Sequence, residues 1–101
     1  MTHLSTSTGI SPTVLEELTA LAKKYDIGRL VLFGSRARGD FHAKSDIDLA
    51  LFGGDKVRFA LDAEETTSTL LTFDFVDLDR EIQPALLQAI EKEGVILYEK
   101  I

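Results

Sequence analysis

The feature that most restricts how this chain can fold is a pair of apolar segments joined by a glycine-led loop. Residues 29–33 are apolar after the first, with β-branched and aromatic members, and they predict a buried strand; residues 47–52 predict a second strand. Gly34 and Ser35 follow the first strand directly, and Asp46 comes after ten further residues. The sequence therefore predicts a strand, a short polar loop and a second strand with acidic residues at its start.

The loop that begins at Gly34 has the composition of an anion-binding segment. A residue without a side chain lets a phosphate group approach the main chain, and the Ser35 hydroxyl adds a donor beside the free amides of a helix that starts there. Arg36 and Arg38 add positive charge, although a solvated helix face explains either of them as well as phosphate contact does. His42 is more simply interpreted as solvent-facing than as catalytic. Gly34 and Ser35 are thus the predicted phosphate-binding residues.

Asp46 and Asp48 lie two residues apart, a spacing that points both side chains to one face of a strand. Two carboxylates so close would repel each other unless a divalent cation lay between them. Mg²⁺ prefers oxygen ligands and completes its coordination with water and substrate phosphates, and two such ions could serve one in-line displacement. An Asp-x-Asp pair alone more often caps a turn or charges an edge strand. Beside the Gly34 loop, it predicts a Mg²⁺ site with a third carboxylate nearby.

The third carboxylate is expected in residues 71–78, which predict another strand. Alternation sends Asp74 and Asp77 to opposite faces. Asp74 is the better candidate because Phe73 and Phe75 flank it, and an isolated carboxylate among apolar side chains would be costly without a cation. Asp77 is nearer the strand end, where we expect it to be solvated.

Three helices are predicted around these strands. The first opens at Pro12 and ends before Asp26, and the second starts near Asp55 and runs through Ala63, with its end open between the Thr/Ser cluster at 66–69 and Leu70. The third runs from about Pro84 to a closing glycine, and residues 95–98 form a final short strand. We interpret the apolar stripes as core, with one stripe open to a second subunit. The predicted fold is α/β (α+β), a small mixed sheet flanked by helices.

Length and composition limit the chain to a single core. Its 101 residues, 45% of them hydrophobic, predict one domain at 11–101 behind a flexible N-terminal tail at 1–10. The absence of cysteine excludes a disulfide framework, and no signal peptide or span of membrane length is present, so a cytoplasmic location is expected. A net charge of −6 disfavours direct nucleic-acid binding and would suit a basic protein partner.

These motifs together resemble those of the minimal nucleotidyltransferases (MNT domains) of the DNA-polymerase-β-like superfamily. Residues 33–39 (Phe-Gly-Ser-Arg-Ala-Arg-Gly) and 45–50 (Ser-Asp-Ile-Asp-Leu-Ala) match the family signature, and Asp74 falls at the third carboxylate. The likeness spans roughly residues 14–98. It implies a nucleotidyltransferase fold that is similar to the polymerase-β palm.

The resemblance also implies an activity, the Mg²⁺-dependent transfer of AMP from ATP. Gly34 and Ser35 would contact the phosphates, Asp46 and Asp48 would bind both metal ions, and Asp74 would complete the metal site. All three Asp residues would be catalytic, with Asp74 acting as, or standing beside, the base that receives the acceptor proton. Many short MNT chains resemble antitoxins encoded beside a HEPN-domain RNase toxin, which they neutralise by adenylylating a toxin tyrosine.

The sequence is also compatible with two other functions. The domain could neutralise its partner by contact alone, as a non-catalytic binding module. It could instead adenylylate the hydroxyl of a small molecule after pairing with a helical substrate-binding subunit. A homo-oligomer is compatible with each of these functions, because so small a sheet has edges to cover.

Overall fold

The computed structural model describes residues 6–100, which contain four helices and four strands between Pro12 and Glu99. In chain order these elements are α1 (Pro12–Lys24), β1 (Arg29–Phe33), α2 (Ser35–Arg38), β2 (Ile47–Phe52), α3 (Lys56–Thr66), β3 (Phe73–Asp77), α4 (Pro84–Glu93) and β4 (Val95–Glu99). The predicted strands and the three longer helices are all present. The mixed α/β fold that the sequence predicts is therefore confirmed.

The four strands form one mixed sheet in the order β3-β2-β1-β4. β1 pairs antiparallel with both β2 and β4, whereas β2 and β3 run parallel. A parallel pair needs a long crossover, and α3 provides it between the two strands. As a result, β2 and β3 both begin at the sheet edge where β1 ends.

The helix boundaries follow from capping residues. Ser11 caps α1 by accepting a hydrogen bond from the amide of Val14 at 3.2 Å, and Pro12 occupies the first turn. The helix ends at Lys24, as predicted. Helix α3 ends at Thr66 rather than reaching Leu70, whose side chain is fully exposed.

Apolar side chains cover both faces of the sheet, one face more completely than the other. The larger cluster packs α1 and α3 against one face through residues such as Leu18, Leu32 and Phe59. On the opposite face a smaller cluster joins β1 and β2 to α4, whose only buried residue is Ile90. This second face is thus covered less completely than the first, and Phe52 and Ile96 on it stay exposed.

Part of the segment predicted to be a flexible tail is packed. Thr8 is 2% exposed and Ile10 is 1% exposed, and Ile10 belongs to the larger core cluster. The predicted tail of residues 1–10 therefore extends too far along the chain, because Thr8 and Ile10 are packed against the domain. Burial of an apolar side chain such as that of Ile10 is favourable. Residues 1–5 of the predicted tail lie outside the described residues.

In the described range, no helix combines the length and the apolarity needed to cross a lipid bilayer.

Candidate active site

The candidate site lies at the sheet edge where β1 ends and where β2 and β3 begin. Phe33 pairs with Asp48 across the antiparallel strands, and Asp48 pairs with Asp74 across the parallel strands. Paired residues on neighbouring strands point to the same face of the sheet. The backbone register alone therefore places two of the three predicted carboxylates side by side.

Asp48 is half-buried at the centre of this edge. Burial raises the pKa of its carboxyl group above the ordinary value, and the charges of Asp74 and Asp46 raise this pKa further. The guanidinium group of Arg38 acts in the opposite direction. Negative charge is thus concentrated around Asp48, as a cation-binding group requires.

Asp46 and Asp74 are both exposed, and neither lies within an apolar environment. Asp46 precedes the first residue of β2, and the amide of Ile47 donates to the Thr72 carbonyl at 2.9 Å. The expectation that Asp74 is embedded in apolar surroundings is wrong. Its flanking residue Phe73 is buried on the opposite face of β3, so alternation leaves the Asp74 carboxylate in solvent.

The predicted competitor, Asp77, lies on the face opposite to Asp74. Lys56 Nζ is 3.6 Å from one of its carboxylate oxygens and Arg80 Nε is 3.3 Å from the other. The amide of Asp79 also donates to Asp77 at 2.9 Å. Asp77 therefore joins the start of α3 to the end of β3 instead of being simply solvated.

Gly34 joins β1 to the four-residue helix α2 in a backbone conformation that favours glycine, with φ +76°. A Cβ atom built on Gly34 would overlap a carboxylate oxygen of Asp48. Ser35 is the first residue of α2, and the helix ends at Gly39, whose amide donates to the Ser35 carbonyl at 2.8 Å. The phosphate-binding loop predicted from sequence thus directly contacts the carboxylate site.

The two arginines of α2 have different environments. Arg36 is 1% exposed and hydrogen-bonded to backbone carbonyls, so neither sequence interpretation, a solvated face or a phosphate contact, describes it. Arg38 is exposed and pairs with Asp40 at 3.2 Å and Glu93 at 3.1 Å. The structural role of Arg36 was missed in the sequence analysis. Its hydrogen-bond acceptors are backbone carbonyls, and the residue types around Arg36 in the sequence do not indicate such acceptors.

His42 lies in the loop between α2 and β2. Its side chain is exposed, in agreement with the solvent-facing interpretation. Its backbone amide donates to Ser45 Oγ at 2.9 Å, and the amide of Ser45 donates back to the His42 carbonyl at 3.0 Å. The residue therefore contributes to the loop through its main chain.

Between residues 6 and 100, no three His, Cys, Asp or Glu side chains are close enough together to hold a metal ion by themselves. The donor chemistry nevertheless fits Mg²⁺, which usually binds through one or two carboxylates, with water and substrate phosphates completing its coordination. Asp48 and Asp74 supply two carboxylates in register. Metal binding by Asp46, Asp48 and Asp74 stays a prediction.

Comparison with known families identifies the class of protein that this fold and site define. The family described as polymerase beta, nucleotidyltransferase, matches residues 16–101. The chain belongs to this family, and the family predicted from the Gly34 and Asp46 motifs is confirmed.

Individual relatives agree with this assignment. The chain is 30% identical over 96 residues to the "Putative protein adenylyltransferase MJ0604" of Methanocaldococcus jannaschii, a match that covers 84% of this chain and 94% of the relative. A toxin–antitoxin crystal structure with AMP-PNP shares the fold at a TM-score of 0.65 and 24% identity, covering 85% of this chain and 73% of the other. The toxin–antitoxin structure MntA-HepT matches at a TM-score of 0.64 and 19% identity, with coverages of 89% and 74%.

Proposed function

We propose that this nucleotidyltransferase moves AMP from ATP to a hydroxyl group, a tyrosine hydroxyl of a partner protein, as the antitoxin of a HEPN-type RNase toxin. The observation that carries the proposal is the register that sets Asp48 beside Asp74, next to a glycine with no side chain. Carboxylates beside the Gly34 loop suit a reaction in which a polyphosphate, a metal ion and an acceptor hydroxyl must come together.

In the proposed reaction, the acceptor hydroxyl oxygen attacks the α-phosphorus of ATP, and the bond from that phosphorus to the bridging oxygen of the β-phosphate breaks. AMP remains on the acceptor and pyrophosphate leaves. Asp74, which is exposed and in register with Asp48, receives the proton of the acceptor hydroxyl. Gly34 and Ser35 bind the phosphates, since Gly34 brings the main chain close to the Asp48 carboxylate and Ser35 adds a hydroxyl donor at the start of α2.

Asp46, Asp48 and Asp74 are the residues that would hold Mg²⁺ in this reaction, two ions in all. The ions would neutralise phosphate charge and lower the pKa of the attacking hydroxyl. The raised pKa of Asp48 is consistent with this role, because a bound cation would offset the repulsion between Asp48 and its acidic neighbours.

The relatives support the nucleotide and the kind of acceptor. The name of the Methanocaldococcus jannaschii relative indicates adenylyl transfer to protein. One structural neighbour is a toxin–antitoxin pair with AMP-PNP, an ATP analogue, and another is the MntA-HepT pair. Both structural neighbours support a toxin as the partner of this chain. The net charge of −6 on this chain would favour a basic partner such as an RNase.

Intact-mass spectrometry tests the proposal directly. A candidate HEPN toxin, or a partner that co-purifies with this protein, is incubated with the protein, Mg²⁺ and each of the four NTPs in turn. We expect the partner to gain one or more AMP units with ATP. Asp48→Asn should slow this transfer at least about a hundredfold, because one metal ligand is lost.

Asp77→Asn is the matched control for Asp48→Asn, because Asp77 lies on the neighbouring strand β3 and faces the opposite side of the sheet from Asp48. It should retain transfer as long as the variant is folded. Normal transfer by Asp48→Asn would show that the metal site has been assigned to the wrong residues. Tight complex formation without any mass change under any nucleotide would contradict the enzymatic proposal as a whole.

A second candidate function, neutralisation by contact alone, is favoured by an apolar groove on the same sheet face as Asp48. The groove, of about 380 Å³, lies between the sheet and α4 and is lined by Phe52, Leu87 and Ile96, among others. These three side chains are 38–52% exposed. Exposed apolar groups that cluster in one groove often mark a protein contact. Binding without AMP transfer in the mass experiment is the result that would favour this function.

A further inference from the structure

Arg36 is the most deeply buried charged side chain in the described part of the molecule, at 1% exposure. Its guanidinium group donates three hydrogen bonds, and all three acceptors are backbone carbonyls. Nε donates to Ser45 at 3.0 Å, Nη1 to Thr8 at 2.8 Å and Nη2 to Ala43 at 3.3 Å. One side chain therefore ties α2 to the N-terminal segment and to the loop that leads into β2.

Aromatic packing completes the enclosure of this guanidinium. The Arg36 guanidinium carbon lies 4.9 Å from the centre of the Phe41 ring, within cation–π range. Gly9, at φ +68°, brings the N-terminal segment so close that a Cβ atom there would overlap both the Phe41 ring and the Arg36 guanidinium. Burial between these groups leaves Arg36 facing protein on its donor side, away from any phosphate.

Of the three hydrogen bonds of Arg36, the one to the Ser45 carbonyl affects the carboxylate site. It belongs to the same planar peptide unit as the amide nitrogen of Asp46, so fixing this carbonyl also fixes the start of Asp46. Asp46 itself lies ahead of β2 and has no partner in the sheet ladder. The peptide unit after Asp46 is fixed by the hydrogen bond from the Ile47 amide to the Thr72 carbonyl, and the unit before it depends on the loop that Arg36 holds.

We propose that Arg36 is a positioning residue that sets Asp46 beside Asp48 through the Ser45 carbonyl and does not itself contact phosphate. The inference rests on the proposed function, because it assigns Arg36 to the metal and nucleotide site described there. Arg38, two residues further on, points to solvent and pairs with Asp40 and Glu93. The two arginines of α2 thus act in different ways.

The decisive variants are Arg36→Lys and Arg36→Gln, neither of which can present a planar fork of donors to three carbonyls. Binding of Mn²⁺ as a spectroscopic substitute for Mg²⁺ is measured by electron paramagnetic resonance in the presence of AMP-PNP. AMP-PNP affinity without metal is measured separately by calorimetry. We expect metal affinity to fall about ten- to a hundredfold, as for other residues that orient metal ligands, while metal-free nucleotide affinity stays within about threefold.

Arg58→Gln is the matched control, because Arg58 is exposed on α3 and pairs only with Asp55 among the described ion pairs. It should leave both affinities unchanged. Wild-type metal affinity in folded Arg36→Lys and Arg36→Gln would overturn the proposal. An equal loss of metal-free nucleotide affinity would overturn it too, because that result indicates direct phosphate contact.

A measurement on the wild-type protein covers the case in which both variants fail to fold. The Nε–H signal of Arg36 in a ¹⁵N NMR spectrum should exchange slowly with solvent, because its hydrogen bond to Ser45 is shielded. The signal should keep its position when AMP-PNP is added without metal. Fast exchange, or a large shift on adding the nucleotide, would refute the assigned role.

Failure of the proposed function gives a different result. If the wild-type protein transfers no AMP to any acceptor and Mn²⁺ binding still depends on Arg36, the proposed reaction falls and the positioning role stands. If transfer occurs at the wild-type rate in Arg36→Lys, the reaction stands and the positioning role falls.

Discussion

Gly34 and Gly39, at the two ends of α2, share a positive φ but differ in what surrounds them. A Cβ at Gly34 would overlap the Asp48 carboxylate, whereas nothing lies within 4 Å of a Cβ at Gly39. Gly39→Ala should therefore lower the free energy of unfolding by about 1–3 kcal/mol through backbone strain alone. Gly34→Ala should cost more and should also weaken Mn²⁺ binding about tenfold by displacing Asp48.

Urea denaturation and Mn²⁺ titration of both variants check this prediction. Gly39→Ala measures the backbone strain that the two substitutions share. If Gly34→Ala bound Mn²⁺ as tightly as Gly39→Ala, the close approach of Gly34 to Asp48 would have no importance for the site.

The raised pKa of Asp48 predicts how metal-free stability varies with pH. A raised pKa in the folded state means that the protonated carboxyl favours the fold, and this contribution is lost as pH rises through the raised value. Asn resembles the protonated form. Asp48→Asn should therefore match the wild type below the ordinary pKa of 3.8 and be the more stable protein at neutral pH.

Urea denaturation between pH 3 and 8, with a chelator present, measures this difference. Glu64→Gln removes one negative charge from an exposed position on α3 and corrects for the general effect of net charge. An Asp48→Asn protein that is less stable than the wild type at neutral pH would contradict the predicted direction.

How far single residues can be predicted from the sequence depends on the kind of partner they have. Gly34, Asp46 and Asp48 stand in a motif whose spacing predicts a phosphate and metal site, and strand alternation correctly separates Asp74 from Asp77. The reason for preferring Asp74, its apolar neighbours in the sequence, fails because Phe73 is buried on the opposite face of β3. The partners of Arg36 are backbone carbonyls, which residues of any type supply. No sequence pattern could therefore have identified its role.

Of the three longer helices, α4 buries the fewest side chains. Ile90 is its only buried residue, at 4% exposure, while Leu86 and Leu87 are 36% and 38% exposed. Ile90→Ala should lower the free energy of unfolding by about 2–5 kcal/mol, whereas Leu86→Ala should cost less than about 1 kcal/mol. Comparable losses in the two variants, measured by urea denaturation, would mean that α4 is held along its whole length.

Local sequence signals predict most elements but not the arrangement of the sheet. Pro12, Pro84 and the alternating apolar runs gave the helix starts and strands, because caps and periodicity act over a few residues. The sequence leaves the end of α3 open between residues 66 and 70, and the structure ends it at Thr66. There the Thr67 hydroxyl donates to the Ala63 carbonyl and the chain turns extended at Thr67, which ends the helix. The place of β4 beside β1 depends on contacts between distant parts of the chain, which no local pattern contains.

For the whole molecule, the burial of Thr8 and Ile10 predicts that the fold requires its N-terminal segment. A chain that starts at Ser11 loses Ile10 from the core and the Thr8 carbonyl from Arg36. Compared with a chain that starts at Thr6, it should be less stable by at least about 2 kcal/mol. Thermal and urea denaturation of the two shortened chains measure the difference, and equal stabilities would show that the segment is dispensable.

The hydrogen bond from Arg36 to Thr8 also has a mechanical consequence. A force that pulls on the N-terminal segment reaches the peptide bond before Asp46 through one guanidinium group. At the other end of the chain, the amide of Lys100 donates to the Gly28 carbonyl, at the end of β1 farthest from Gly34. Labels, surface tethers and fusion partners should therefore be attached at the C-terminal end, where a load on the chain bypasses the carboxylates.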